Sequence, residues 1–221
     1  MTVSPVPASD AGWTTWQGLT PVLPEIAEGT RGTCLAGDAG FVGLLPAGDG
    51  LLQWWFDVPN AAAAPGPEGT IAWLRDRFSR YAHPVPDLLA AVDESDVGAY
   101  PHVLHTIPER WGSGPTTLLG DAAHAFPPTQ AQGANQALDD AWMLVRALRL
   151  PGPVPERLRR YEARRVPRVR RVSRLSASAI TNQAPGRLTR TIGRAVPPSL
   201  AGRAYLAQVR IWSSVLHDER P

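Results

Sequence analysis

Alternation of apolar and polar positions is clearest in the first quarter of the chain. Segments 31–36, 41–45 and 51–58 are short apolar runs, separated by Gly37-Asp38-Ala39-Gly40 and Ala47-Gly48-Asp49-Gly50. Gly and Asp between such runs are hairpin-turn signals. In the third run Leu52, Trp54 and Phe56 fall on one face, and Leu51, Gln53, Trp55 and Asp57 on the other. Residues 13–58 therefore predict a mixed antiparallel meander with one well-covered face. Residues 1–12, rich in Pro, Ser, Ala and Asp, predict a loose segment.

The period then lengthens. After an Ala/Pro/Gly loop at 60–69, Ile71, Leu74 and Phe78 predict a helix over 70–81. A short helix is expected at 86–92 and strands at 103–107 and 116–119. The helical signal is strongest over 134–148, where Ala134, Ala137, Leu138, Ala141, Val145 and Leu148 make one stripe. Pro151-Gly152-Pro153 stops that helix. A long helix is expected over 155–180, with Pro167 as the place for a kink, and two shorter ones near 187–194 and 199–215.

Composition narrows the class. The chain has 221 residues, 43% hydrophobic and 19% charged, which is globular rather than disordered. A net charge of +2 makes no global field for nucleic acid. The lone Cys34 excludes an internal disulfide framework and a Cys-based metal site. It also fits a reducing compartment, and a cytoplasmic protein is the expectation. The first residues carry neither a basic segment nor an apolar stretch of signal-peptide type. No run approaches the ~18 apolar residues of a membrane span.

Chemistry concentrates after residue 117. Leu118-Leu119-Gly120-Asp121-Ala122-Ala123-His124 is an apolar run ending in Gly-Asp. Pro127-Pro128 follows, and Gln132-Gly133-Ala134-Asn135 opens a helix. A carboxylate at a strand end beside a helix N-terminus suits a polar, partly anionic cofactor. A carboxylate buried there must meet donors. Alone, Gly-Asp also reads as a turn or as a cap for a short helical turn at 122–125. Asp139 and Asp140 suit the helix dipole without any ligand.

In this order the motifs resemble the second flavin-contact motif of FAD-dependent aromatic hydroxylases, the para-hydroxybenzoate hydroxylase family of flavoprotein monooxygenases. Tyr161-Glu162-Ala163-Arg164-Arg165 resembles that family's C-terminal helix. The resemblance implies an α+β / α/β fold: a mixed antiparallel substrate-domain sheet, an FAD-contacting strand–loop–helix, and C-terminal helices. It divides the chain into a substrate-domain-like region at 1–115, the Gly-Asp strand and helix at 116–150, and a helical region at 151–221. Asp121, with Gly120, would hold the ribityl chain. Gly133, Ala134 and Asn135 would hold the pyrimidine edge, and Pro127 and Pro128 would keep the loop beside the ring. His124 is expected behind these residues, packed and hydrogen-bonded. Of Trp13, Trp16, Trp54, Trp55 and Phe56, most are expected in the core and one or two at a substrate pocket.

The family's reaction hydroxylates or epoxidises an aromatic or polycyclic molecule with FAD, NAD(P)H and O2, through a flavin 4a-hydroperoxide. The opening Gly-x-Gly-x-x-Gly fingerprint is not found: Gly48-Asp49-Gly50 and Gly112-Ser113-Gly114 lack the third Gly in register. Alternatives therefore stay open: a non-catalytic remnant, one half of a split flavoenzyme completed by a separate nucleotide-binding half or a homodimer mate, or an Arg-rich interaction protein. The last rests on nine Arg between Arg157 and Arg174 in a chain without Lys. No recognised motif or stacking aromatics accompany them, so a nucleic-acid partner is not expected, nor a membrane.

Overall fold

A computed structural model describes residues 7–60, 62, 64–66, 68–128, 132–178, 196–197, 199–200, 202–204 and 206–207. The helix expected at 187–194 lies outside the described residues. The one expected at 199–215 is described only at 199–200, 202–204 and 206–207, which are helical. Described residues 10–103 form one compact unit and 104–178 belong to another.

The first unit is a five-stranded sheet with helices on one face. Its strands are β1 (Ser9–Thr20), β2 (Thr33–Gly37), β3 (Gly40–Gly48), β4 (Leu51–Pro59) and β5 (Gly98–Leu104), in the order β2-β3-β4-β1-β5. β2 pairs with β3, β3 with β4, and β4 with β1, all antiparallel. Between the strands lie α1 (Pro24–Ala27), α2 (Thr70–Arg77) and α3 (Val85–Ala91). The meander is as the alternation predicts, with two shifts. β1 begins at Ser9 rather than after residue 12, because Asn60 ties down its start. Asn60 N–H donates to the Gly12 carbonyl (2.9 Å), and its side-chain amide donates to both oxygens of Asp10 (2.8 and 3.1 Å). β5 lies several residues earlier than the strand expected at 103–107.

Period-two alternation decides which face is covered. Leu52, Trp54, Phe56 and Val58 of β4 are buried, with Val42 and Leu44 of β3, against Ile71, Leu74, Leu88 and Leu89. Each such side chain contributes roughly 1.5–3 kcal/mol. The buried Trp54 indole donates to Thr20 Oγ (2.9 Å), so its polar end is satisfied. α2 starts at Gly69 without a side-chain cap of its own. Glu94, 24 residues beyond Thr70, supplies it: its carboxylate accepts the N–H groups of Thr70 (2.9 Å) and Ile71 (2.6 Å).

The second unit holds α4 (Asp121–His124), α5 (Gln132–Leu148) and α6 (Val154–Ser178). α6 runs through Pro167. Its small core is Ile107, Trp111, Ala123, Ala147, Tyr161, Val166 and Val169. The strand expected at 116–119 is not one. Among the described residues nothing pairs with it: Leu118 N–H donates to the Trp111 carbonyl (3.1 Å), and the Arg159 guanidinium takes the Thr116 carbonyl (2.8 Å). The stripe of α5 is also reversed from expectation. Leu138 (70% exposed), Trp142, Val145 and Leu148 face outward, while Gln132, Gln136, Asp139, Asp140 and Ala147 are buried. The side of α5 that is buried is the one that can pair with charges on α6. Among the described residues no helix is long and apolar enough to cross a membrane.

Gly18 shows how closely the sheet is fitted. A Cβ there would stand 2.3 Å from the Trp54 ring and 2.4 Å from the Asp96 carbonyl oxygen. The carbonyl belongs to backbone and cannot rotate aside. Gly18→Ala is expected to cost about 2–3 kcal/mol. Urea unfolding followed by Trp fluorescence measures this, and an unchanged midpoint would refute the packing argument.

Candidate functional site

The Gly-Asp pair sits on a turn that its neighbours hold rigidly. Gly120 is buried with φ 57° and ψ −146°, a backbone state that suits only glycine at low cost. Its carbonyl accepts the N–H groups of Ala123 and His124 (both 2.9 Å), which closes the single turn of α4. Its own N–H donates to Asp140 Oδ2 (2.8 Å). Asp121 is thereby turned outward. It is exposed, and its carboxylate has no partner among the described residues. It is therefore not the buried carboxylate expected of a strand end, because no strand forms there. Nor is it a cap: the N-cap is Gly120, and no side-chain cap bond is made.

The first turn of α5 comes up beside it. A Cβ on Gly133 would lie 4.0 Å from Asp121 Oδ1. Gly133 is half-buried, Ala134 and Asn135 are exposed, Pro127 is buried and Pro128 is exposed. Residues 129–131, including Gln130 and Ala131, lie outside the described residues. An outward carboxylate beside a glycine at a helix start fits the hydroxylated chain and electron-rich ring edge of a flavin. A carboxylate can accept hydrogen bonds from hydroxyls, a bare backbone permits close approach, and a helix start favours negative charge.

Beneath this surface lies a buried ionic cluster. Asp140 and Arg165 are both 0% exposed and His124 is 1% exposed. Asp140 Oδ2 also meets His124 Nε2 (2.5 Å), and Oδ1 accepts from Arg165 Nε (2.6 Å). Arg165 Nη2 donates to the backbone and side-chain oxygens of Gln136 (both 3.1 Å), and Nη1 lies 3.9 Å from Asp139 Oδ2. Burial by itself would raise the Asp140 pKa. The His124 hydrogen bond, then the Arg165 charge and the Gly120 N–H, outweigh burial and hold it below the usual carboxylate range. Asp139 goes the other way, raised by burial despite Arg165 and Arg168. Tyr161 is raised by burial and by the nearby Asp140 charge.

Sequence reasoning placed Asp139 and Asp140 at the helix dipole. They sit about two turns into α5, where their partner is Arg165. The available signal was two adjacent carboxylates in a helical stretch whose remaining charge is Arg146, with an Arg-rich helix to follow. Several other arginines of α6 are also engaged with backbone carbonyls. Arg157 donates to the Leu148 carbonyl, Arg159 to those of Gly112 and Thr116, and Arg170 to that of Ile107. Arg159 also pairs with Glu162 at 2.7 Å.

In the sheet unit the named aromatics divide by face. Trp54 and Phe56 are core, and Trp16 packs against that core and on Trp73 (5.6 Å between ring centroids). Trp13 and Trp55 belong to the opposite face, with Thr15, Asp57 and, on β5, His102. Thr15 and His102 were not singled out from sequence, since nothing in a single strand shows which polar residues its neighbours will meet.

A rigid Gly-Asp turn beside a helix start, with an antiparallel sheet unit in the same chain, is the arrangement that the resemblance to FAD-dependent aromatic hydroxylases implies. The comparisons agree: residues 20–176 match the family described as FAD binding domain, and the chain belongs to that family. It is 37% identical over 163 residues to an FAD-dependent urate hydroxylase of Klebsiella oxytoca, covering 72% of this chain and 42% of that protein. It is 33% identical over 170 residues to a 3-amino-4-hydroxybenzoate 2-monooxygenase of Streptomyces cremeus, covering 74% and 42%. Among solved structures, the HpxO protein of Klebsiella pneumoniae complexed with FAD and uric acid superposes with a TM-score of 0.75. It is 30% identical and covers 86% of this chain and 49% of that one. The chain thus spans less than half the length of these relatives.

Removing Asp140 leaves Arg165 buried without its main counter-charge. Asp140→Ala is expected to cost about 3–5 kcal/mol, and adding Arg165→Met should restore part of it. The Asp140 pKa is depressed on folding, so its stabilisation is present above the ordinary carboxylate pKa of about 3.9 and fades as pH falls below it. Denaturant titrations of wild type and Asp140→Ala at pH 7 and pH 3 check both points. Equal stabilities at pH 7 would refute the cluster's role.

Proposed function

We propose that this chain supplies the flavin-contacting and substrate-binding portion of an FAD-dependent monooxygenase acting on an aromatic or polycyclic small molecule with NAD(P)H and O2. The observation that carries this reading is the outward, unpartnered Asp121 carboxylate beside Gly133, on a turn fixed from below by Asp140. Its relatives are named as hydroxylases and monooxygenases, which supports the reaction class. The flavin, when bound, supplies the chemistry of oxygen activation and transfer. The chain's own residues hold it: Asp121 accepts hydrogen bonds from the ribityl hydroxyls. Gly133, Ala134 and Asn135 present the helix start to the ring's pyrimidine edge, and Pro127 and Pro128 stiffen the approach.

The nucleotide-binding portion is assigned to the outward apolar face of α5. Leu138, Trp142, Val145 and Leu148 form a contiguous apolar stripe of the kind that marks a covered surface. Since the relatives are more than twice as long as the matched region, they contain enough chain to cover it. Whether that portion belongs to the same polypeptide or arrives as a separate half, the same stripe receives it. A cytoplasmic setting goes with this reading.

Flavin titration of the purified chain, followed by quenching of flavin fluorescence, tests the site. Binding by the chain alone, or only after a nucleotide-binding half is added in trans, supports it. In whichever state binds, Asp121→Ala should weaken affinity at least tenfold, about 1.4 kcal/mol. No binding in either state, or an unchanged affinity in Asp121→Ala, removes the assignment.

A further inference from the structure

We propose that Asp57, Thr15 and His102 form a hydrogen-bonded relay that takes up the proton of a phenolic hydroxyl or ring N–H on an aromatic ligand. The proposal rests on the monooxygenase reading for its context, but its geometry lies wholly within the sheet unit.

The three residues come from three strands. Thr15 of β1 and Asp57 of β4 are directly opposite in the antiparallel register, on the face away from Trp54 and Phe56. Thr15 Oγ donates to Asp57 Oδ1 at 2.6 Å and lies 2.8 Å from His102 Nε2 on β5. A threonine hydroxyl has one proton. When that proton goes to the Asp57 carboxylate, the bond to His102 requires Nε2 to be the donor. The imidazole tautomer is thereby set, and Nδ1 is left with a lone pair. Nδ1 has no partner among the described residues. Partial burial lowers the His102 pKa, which keeps the ring neutral and able to accept.

The surroundings suit an aromatic ligand with a polar edge. The Trp13 ring lies 3.9 Å from the His102 ring, tilted by 35°, and holds its orientation. Trp13 is 2% exposed, yet its indole N–H has no acceptor among the described residues. A buried donor without an acceptor is costly, and a ligand oxygen would satisfy it. Trp55 stands two residues from Asp57 on the same strand face, and Phe41, opposite Asp57 on β3, lies 6.4 Å from the Trp55 ring. Burial pushes the Asp57 pKa up to about 6, so this carboxyl is costly to keep charged and is not simply a solvated strand residue.

In the transfer, the ligand O–H or N–H bond breaks and its proton bonds to His102 Nδ1. The electron pair stays on the ligand as an oxyanion or ring anion. The new imidazolium charge is stabilised by Asp57 through Thr15. An ionised phenol is the more electron-rich partner for an electrophilic oxygen, which is what an aromatic hydroxylation requires.

4-Nitrophenol tests this with the whole chain, because its visible band reports the phenolate. 4-Nitroanisole, which has no proton to give, is the control. Wild type should bind 4-nitrophenol at least tenfold more tightly than 4-nitroanisole and bind it as phenolate below the free phenol's pKa. His102→Gln, Asp57→Asn and Thr15→Val should each lose the phenolate band, while Thr15→Ser, which keeps the hydroxyl, should retain it. Circular dichroism confirms that each variant is folded. Equal affinity for the two probes, no binding of either, or a phenolate band that persists in His102→Gln would overturn the proposal. Failure of flavin binding with the phenolate band intact would instead remove the monooxygenase reading and leave the relay standing.

Discussion

One buried carboxylate organises the unit that carries the Gly-Asp turn. Asp140 accepts from the Gly120 backbone, the Arg165 guanidinium and the His124 ring at once. Three elements that are far apart in sequence, the Gly-Asp turn, α5 and α6, are thereby tied to a single side chain. An ion pair in such a place is no guarantee of net stability, because desolvation offsets much of the Coulomb energy. Its value is geometric. With both Asp140 oxygens and the Arg165 Nε and Nη2 groups engaged, the Gly120 turn has one low-energy arrangement, and in it Asp121 points outward. The outward carboxylate is aimed by another carboxylate that is wholly buried.

The same cluster explains why α5 is oriented against its hydrophobic pattern. Burying the stripe of Leu138, Val145 and Leu148 would leave Asp140 and Arg165 to find solvent or each other elsewhere. Burying the polar side lets Asp139, Asp140 and Gln136 converge on Arg165, at the expense of an exposed apolar face. An apolar stripe of that size is tolerable where further structure covers it.

The sheet unit separates two duties by face. Trp54, Phe56, Leu52 and Val58 secure the sheet to α2 and α3, and the Glu94 carboxylate fastens the start of α2. The other face is left to Trp13, Thr15, Trp55 and Asp57. Polar groups there are held by cross-strand register rather than by neighbours in sequence, so Thr15 finds a histidine from the fifth strand as a partner.

The meander and the helices of 70–77, 85–91 and 132–148 were legible in the sequence, because each depends on local periodicity or on turn chemistry. The family was legible too, since Gly120-Asp121, Pro127-Pro128 and Gly133-Ala134-Asn135 follow one another in fixed order. Tertiary structure alone decided the rest. Whether 116–119 is a strand depends on a neighbour to pair with, and here Arg159 takes a carbonyl instead. Which face of α5 is buried depends on a guanidinium 25 residues away from Asp140. The meeting of Thr15, Asp57 and His102 spans 87 residues. Hydrophobic pattern carries information over a few turns of chain. Charge pairing and strand register act through space, between residues whose separation in sequence says nothing of their distance.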